Sequence, residues 1–353
     1  MECVSLKANG ELIYETVEDC ALESKQVALK ILSAGVCSSD IYRAFDSWAY
    51  HYPLTMGHEL CGQISDLGSD VSSAHGVGDI VTVFPLMPCG SCDQCYQKEF
   101  ARCRDYSYYG SRIDGGFSTR LNVNEWNLIT LPKNVSIEDA CLTEPCAVVL
   151  HGINKLKITS PQSESIALLG GGFLGLIALE MLRLEYPTLE IHILDRNKTK
   201  LNLAHKLGAK THLVATEEQW QSASDQLSDK FDYVIENTGH PNRFCDSITL
   251  SKPGGKIIWL GNITKDLKLE KNLVSSILRK ELTINGSWNS HFKSNLFDDW
   301  NSTLNLMANG FRPSKFISHK IKLEELPEIL SRMHSHKVRK NDFDYVKVIV
   351  KLA

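Results

Sequence analysis

Hydrophobic and polar residues follow two different rhythms along this chain. Between residues 1 and 34 the rhythm is short and two-fold, as in Glu11-Leu12-Ile13-Tyr14-Glu15 and Val27-Ala28-Leu29-Lys30-Ile31. A period of two sends alternate side chains to opposite faces, so these stretches predict half-buried antiparallel strands. Val36-Cys37-Ser38-Ser39-Asp40 follows a glycine and predicts the opening of a short helix. Gly62-Gln63-Ile64 and Asp79-Ile80-Val81-Thr82-Val83 predict further strands, separated by glycines at 68, 76 and 78. Residues 105–145 read as strands and turns, with Gly115-Gly116-Phe117 as a tight bend. The N-terminal region is therefore expected to be a β-rich, barrel-like module.

The rhythm changes near residue 148. Ile166-Ala167-Leu168-Leu169 is an unbroken apolar run of strand length, and Phe173 to Arg183 reads as a helix packed on a sheet. Ile191 to Leu194 predicts a second strand, Leu201 to Leu207 a helix stopped at Gly208, and Phe231 to Ile235 a third strand. Lys252-Pro253-Gly254-Gly255 is expected to turn into a strand from Lys256 to Leu260. Strands alternating with helices predict a doubly wound parallel sheet. The fold class expected is α/β: a β-rich domain over 1–147, a parallel-sheet domain over 148–287, and a tail over 288–353 that returns to the first. The tail's last segment, Tyr345 to Leu352, alternates like a strand. Ser165 to Leu184 is apolar enough to imitate a membrane span of about 20 residues. Glu180, Arg183 and the glycines within it favour a water-soluble core instead.

Composition narrows the classes. The chain has 353 residues, enough for two domains, with 43% hydrophobic and 23% charged residues. A net charge of −4 points to neither nucleic acid nor an anionic membrane as partner. Met1 to Gly10 lacks the apolar core of a secretory signal. Eleven cysteines in such a chain suggest metal binding rather than a disulfide framework, and a reducing, cytoplasmic setting.

Three groups of residues carry candidate chemistry. Gly170, Gly172 and Gly175 fill G-x-G-x-x-G directly after an apolar strand, with Phe173 and Leu174 opening the helix. The glycines let the backbone turn and approach a pyrophosphate, and the helix N-terminus offers it free N–H groups. Asp195 ends the next strand, placed to accept both ribose hydroxyls of an adenosine. A carboxylate there favours NAD over NADP, although Arg196 and Lys198 are close by. Arg196 and Thr238, just beyond strand ends, complete the expected cofactor set. Second, Cys89, Cys92, Cys95 and Cys103 stand at C-x2-C-x2-C-x7-C. Four thiolates suit one tetrahedral, closed structural Zn²⁺, with an iron–sulfur cluster or free thiols as the alternatives. Third, Cys37, His58, Glu59 and Glu144 supply thiolate, imidazole and carboxylate. That mix suits a catalytic zinc with one open position, but the residues are far apart and spacing alone proves nothing.

The pieces Gly35-Val36-Cys37-Ser38-Ser39-Asp40, Gly57-His58-Glu59, the four-cysteine lobe at 88–104, Glu144-Pro145, the glycine turn with Asp195, and Pro253-Gly254-Gly255 belong together. With them the chain resembles the zinc-dependent medium-chain alcohol and polyol dehydrogenases along essentially its full length. The resemblance implies a GroES-like catalytic domain and a Rossmann NAD domain, with the active site in the cleft between them. It implies two zinc ions per chain and a homodimer or homotetramer formed near residues 270–290. Carried over, Cys37, His58 and Glu144 hold the catalytic zinc, Glu59 is a mobile fourth ligand or a supporting partner, and Ser39 begins the proton relay. A substrate hydroxyl, acidified by zinc, would lose its proton to Ser39, and the carbon bearing it would pass its hydride to NAD.

Glutamate at 144, where simple alcohol dehydrogenases carry cysteine, resembles the polyol branch. Two positions depart from the family pattern: Ser38 replaces the usual glycine, and Tyr42 stands where some members place a relay histidine. Residues 52–59, 110–117, 279–283 and 286–288 resemble the branch that oxidises polyol phosphates. A phosphorylated substrate needs a cation, and Arg43 and Arg112 are the candidates, with a salt-bridged arginine as the plainer reading of each. The rival functions are sorbitol or L-iditol, L-threonine or simple-alcohol oxidation by the same chemistry, and a non-catalytic nucleotide-binding relative.

Overall fold

The computed structural model describes residues 1–295, 298–338 and 343–352. The chain forms two compact units, Met1–Ala147 with the described part of His291–Ala353, and Val148–Ser290.

The first unit is built around one long strand, Gln26–Val36. Along one edge it pairs antiparallel with Glu59–Leu67. Along the other, Arg120–Asn124 takes its first half and Lys347–Lys351 its second. Register shifts between Ala28 and Leu29 and between Ile31 and Ser33 bend the strand so that it serves both neighbours. Seven strands join in this sheet. The expectation that Val27 to Ile31 is half-buried is corrected here. Only Lys30 in the strand is exposed, because the sheet curls and covers both faces. Val27, Leu29, Ile31 and Ala34 join a core that also takes Ile41, Leu326, Leu330 and Val348. Each such buried Leu or Ile contributes about 1.5–3 kcal/mol relative to exposure. Among the described residues, Glu11–Thr16 is an edge strand, paired with Glu2–Ala8 alone and largely exposed.

In the second unit six strands lie side by side, all parallel: Lys210–Leu213, Glu190–Asp195, Ser165–Leu169, Phe231–Glu236, Ser251–Trp259 and Thr283–Gly286, in that order. The order reverses at Ser165–Leu169, which makes this a doubly wound sheet with its switch point at the glycine turn. Ser165–Leu169 is buried throughout, as an interior parallel strand must be when helices cover both faces. The helix Phe173–Glu185 packs Leu176, Ile177, Leu179 and Leu182 inward. The predicted turn at 252–255 is corrected: it lies inside the strand Ser251–Trp259, where the register jumps from Phe231↔Ser251 to Tyr233↔Lys256. Gly254, at φ +75°, lets the backbone loop out without leaving the sheet. Among the described residues, no helix is long and apolar enough to cross a membrane.

Candidate functional site

The end of the central strand organises the first unit's chemistry. Val36 leaves the sheet, and Cys37 sits at the N-cap of the helix Ser38–Phe45. Gly35 pairs across the sheet with Glu59. A side chain at Gly35 would collide with the Glu59 carboxylate, so the glycine makes room for that acid to lie over the strand. His58 immediately precedes Glu59 and is also buried. One ligand atom each from Cys37, His58 and Glu59 lies within 4.8 Å of the others. Glu144 is outside that trio. It is buried in the first turn of the helix Thr143–Leu156 and accepts a hydrogen bond from Tyr108 Oη at 3.1 Å. Tyr108 in turn lies edge-on to the His58 ring, with centroids 5.8 Å apart.

Charged residues that the sequence reading missed hold these donors. Asp40, fully buried, accepts from the Cys37 backbone N–H at 2.9 Å and from Arg43 at 3.0 Å. It lies 3.5 Å from His58 Nδ1, an electrostatic contact longer than a good hydrogen bond. The contact turns Nδ1 toward a carboxylate, as the outer nitrogen of a metal-bound imidazole commonly is. Burial opposes the charge on Asp40, but His58, Arg43 and the Cys37 N–H hold its carboxyl below the usual range. Burial likewise opposes a charged His58, yet Asp40 and then Cys37 hold it well above its ordinary value. Lys347 donates to Glu59 Oε1 at 2.7 Å and to the Val36 carbonyl at 3.0 Å, and it too is buried. Its strand runs beside Val36, which brings it to Glu59 from 288 residues away. Glu144 is held instead by the Tyr108 hydroxyl, with His58 and Lys347 acting on its charge through space. Burial pushes it up to about 7, with His58 opposing and Glu59 adding to the shift.

Ser39 is half-buried in the first turn of the same helix. Tyr42 stacks near Trp48, 4.8 Å between centroids. Of the two candidate phosphate cations, Arg43 is buried and its charge is matched by Asp40, so the plainer, salt-bridged reading describes it. Arg112 is different. Its guanidinium lies 4.1 Å from the Tyr106 ring centroid and 4.7 Å from that of Tyr50.

The cysteine lobe is a separate cluster. Cys92 lies 3.6 Å from Cys95 and 3.9 Å from Cys103, and Cys89 lies 3.9 Å from Cys95, sulfur to sulfur. A tetrahedral ion with Zn–S bonds of about 2.3 Å sets its sulfurs about 3.8 Å apart, so the four thiols fit zinc. None of the eleven cysteines forms a disulfide.

In the second unit the glycine turn and the acid meet. Gly170 adopts φ +101°, and Gly172 caps the helix Phe173–Glu185. At Gly175 a Cβ would strike the Gly170 carbonyl, so only glycine allows this approach. Asp195 accepts from the backbone N–H of Gly171 and of Asn197, each at 2.6 Å. Thr238 donates from both backbone and hydroxyl to the fully buried Glu236, at 2.7 and 2.5 Å. Arg196 is exposed. Asn237, unmarked in the sequence, packs its side chain against Gly170 and Gly175. These residues lie at or just beyond the carboxyl ends of parallel strands, where such sheets bind dinucleotides.

Residues 23–133 match the alcohol dehydrogenase GroES-like domain, and residues 137–350 match the glucose dehydrogenase C-terminus. The chain belongs to the zinc-dependent medium-chain alcohol and polyol dehydrogenases. It is 32% identical to galactitol 1-phosphate 5-dehydrogenase of Escherichia coli K12 over 287 residues, 80% of this chain and 81% of that one. L-threonine 3-dehydrogenase of Alteromonas mediterranea is 26% identical over 344 residues, 95% of this chain and 97% of that one. Among solved structures, galactitol-1-phosphate dehydrogenase from Escherichia coli superposes with a TM-score of 0.86 at 28% identity, covering 99% of this chain and 100% of that one. A putative zinc-binding dehydrogenase from Sinorhizobium meliloti 1021, bound to NADP, gives 0.86 at 26% identity, covering 99% and 98%. The fold class read from the sequence, a GroES-like module with a Rossmann-like parallel sheet, agrees with these matches.

Proposed function

We propose that this chain is a zinc- and NAD-dependent dehydrogenase that oxidises a secondary alcohol of a polyol or polyol phosphate, one like galactitol 1-phosphate, to a ketone. The observation that carries this reading is the trio of half-buried Cys37 with buried His58 and Glu59, within 4.8 Å of one another. A thiol, an imidazole and a carboxylate brought this close at the edge of a core are the donor mix that fits zinc with an open position. Cys37 and His58 would hold the ion together with Glu144, and Glu59 would be the exchangeable carboxylate. When bound, zinc supplies a Lewis acid for the substrate hydroxyl, and NAD supplies the hydride acceptor.

The protein's own residues do the rest. Asp40 would orient the His58 ring through its contact with Nδ1. Lys347 holds Glu59 by a buried ion pair, and Tyr108 steadies Glu144. Ser39, in the first turn of the helix capped by Cys37, would take the substrate proton. Cys89, Cys92, Cys95 and Cys103 would hold a second, structural zinc. The free N–H groups at Phe173 and Leu174 would receive the pyrophosphate. Asp195, pinned by two backbone donors, would accept the ribose hydroxyls and disfavour a 2′-phosphate. Exposed Val274, Leu278 and Trp288 support a homodimer or homotetramer formed through 270–290.

The test is a panel of galactitol 1-phosphate, galactitol, sorbitol, L-iditol and L-threonine with NAD and NADP, followed by absorbance of the reduced cofactor. The reading expects NAD-linked turnover of a polyol or its phosphate. Turnover of threonine alone, or of nothing, would contradict it.

A further inference from the structure

The segments 52–59 and 110–117 form one rigid piece. Gly115 and Gly116 donate their N–H groups to the carbonyls of Thr55 and Gly57 at 2.8 and 2.7 Å, and Phe117 donates to Met56 at 2.9 Å. Asp114 accepts from the Thr55 N–H at 2.8 Å. His51 bridges the Pro53 and Arg112 carbonyls at 3.0 and 3.1 Å. Gly57 and Met56 lead directly into His58. The loop that carries Arg112 is therefore fastened, backbone to backbone, to the segment that presents the candidate metal ligands.

Arg112 itself is held ready. One of its N–H groups donates to the Tyr106 carbonyl at 2.7 Å, and the guanidinium lies against the rings of Tyr50 and Tyr106. Among the described residues no carboxylate pairs with it, whereas Arg43 is already spent on Asp40. Tyr50 is 65% exposed, so the stack opens to solvent on that side. On the other side Tyr106 lies 6.3 Å from Tyr108, whose hydroxyl holds Glu144. A planar cation, its rotamer fixed by aromatic contacts and its outer fork unmatched, is the chemistry that reads a phosphate dianion with little ordering cost.

We infer that Arg112, clamped by Tyr50 and Tyr106, binds the phosphate group of a phosphorylated polyol and sets the preference for it over the free polyol. This rests on the polyol-phosphate reading above and adds the residue that enforces it. The clamp and the ligand trio would then grip opposite ends of one substrate.

The experiment measures kcat/KM for galactitol 1-phosphate and for galactitol in the wild type, Arg112→Met and Arg112→Lys. Inorganic phosphate serves as a competitive inhibitor in each. Zinc content and circular dichroism report folding. The ratio of phosphorylated to free substrate should fall about 10- to 100-fold in Arg112→Met. Inhibition by phosphate should weaken in parallel, and Arg112→Lys should recover part of both. A wild-type preference that survives in Arg112→Met overturns the assignment of Arg112 while leaving the substrate reading intact. A wild type that shows no preference overturns the assignment of Arg112 and the phosphate half of the substrate reading, and one that turns over neither substrate overturns both.

Discussion

The two cysteine-bearing clusters of the first unit are built in opposite ways. The lobe draws Cys89, Cys92, Cys95 and Cys103 from 15 consecutive residues, and its donors are identical. The other cluster draws Cys37 from just beyond a strand end, His58 and Glu59 from the start of the neighbouring strand, Glu144 from a helix and Lys347 from a strand near the C-terminus. Its donors are mixed, and each is held by a different partner: Asp40, Lys347 or Tyr108. A local cluster closes around an ion and braces a loop. A cluster assembled by the whole sheet can leave one position open, because no single segment decides its geometry.

The largest effect expected from this contrast is on turnover. Cys37→Ser should lower kcat/KM by at least on the order of 10³-fold, with circular dichroism unchanged and zinc falling by one ion per chain. Equal activity at lower zinc would remove Cys37 from the mechanism. Cys92→Ser should do the reverse. Loss of a closed structural ion should cost several kcal/mol, roughly, read as a lower unfolding midpoint, while protein that remains folded keeps its other zinc. Lys347→Met comes next. It leaves Glu59 buried without its cation, which should cost about 3–5 kcal/mol, and adding Glu59→Gln should restore most of that. A double variant as unstable as the single one would show that packing, not charge, is what Lys347 provides. Smallest is Asp195→Ala, which should narrow the preference for NAD over NADP by about 10- to 100-fold, measured from KM with each cofactor.

The same contrast explains what could be read in advance. The glycine turn, its flanking strand and helix, and Asp195 are contiguous, and local geometry dictates their residue types. The cysteine lobe is legible for the same reason. Cys37, His58, Glu59 and Glu144 offered a suitable mix of donors, but only family likeness joined them, because their meeting depends on strand register. Asp40, Tyr108 and Lys347 went unread, since an aspartate, a tyrosine and a lysine carry no signal until a fold sets them beside a donor. The alternation around Lys347 marks a strand but does not say that its lysine faces inward. Arg43 and Arg112 looked equivalent as residue types, and only their neighbours, a carboxylate for one and two phenol rings for the other, separate them. The turn at 252–255 has turn residues yet stays within a strand, because the pairing with Phe231–Glu236 resumes at Lys256 and takes the extra residues as a bulge.

Zinc K-edge X-ray absorption on the purified chain, combined with metal counting, tests the central claim most directly. Two ions per chain, one bound by four thiolates and one by a single thiolate with nitrogen and oxygen, average to about 2.5 sulfur ligands per zinc. Cys37→Ser should shift that average to about four sulfurs at one zinc per chain. A wild type that already holds a single zinc ringed by four sulfurs would contradict the claim, because Cys37, His58 and Glu59 would then hold no metal.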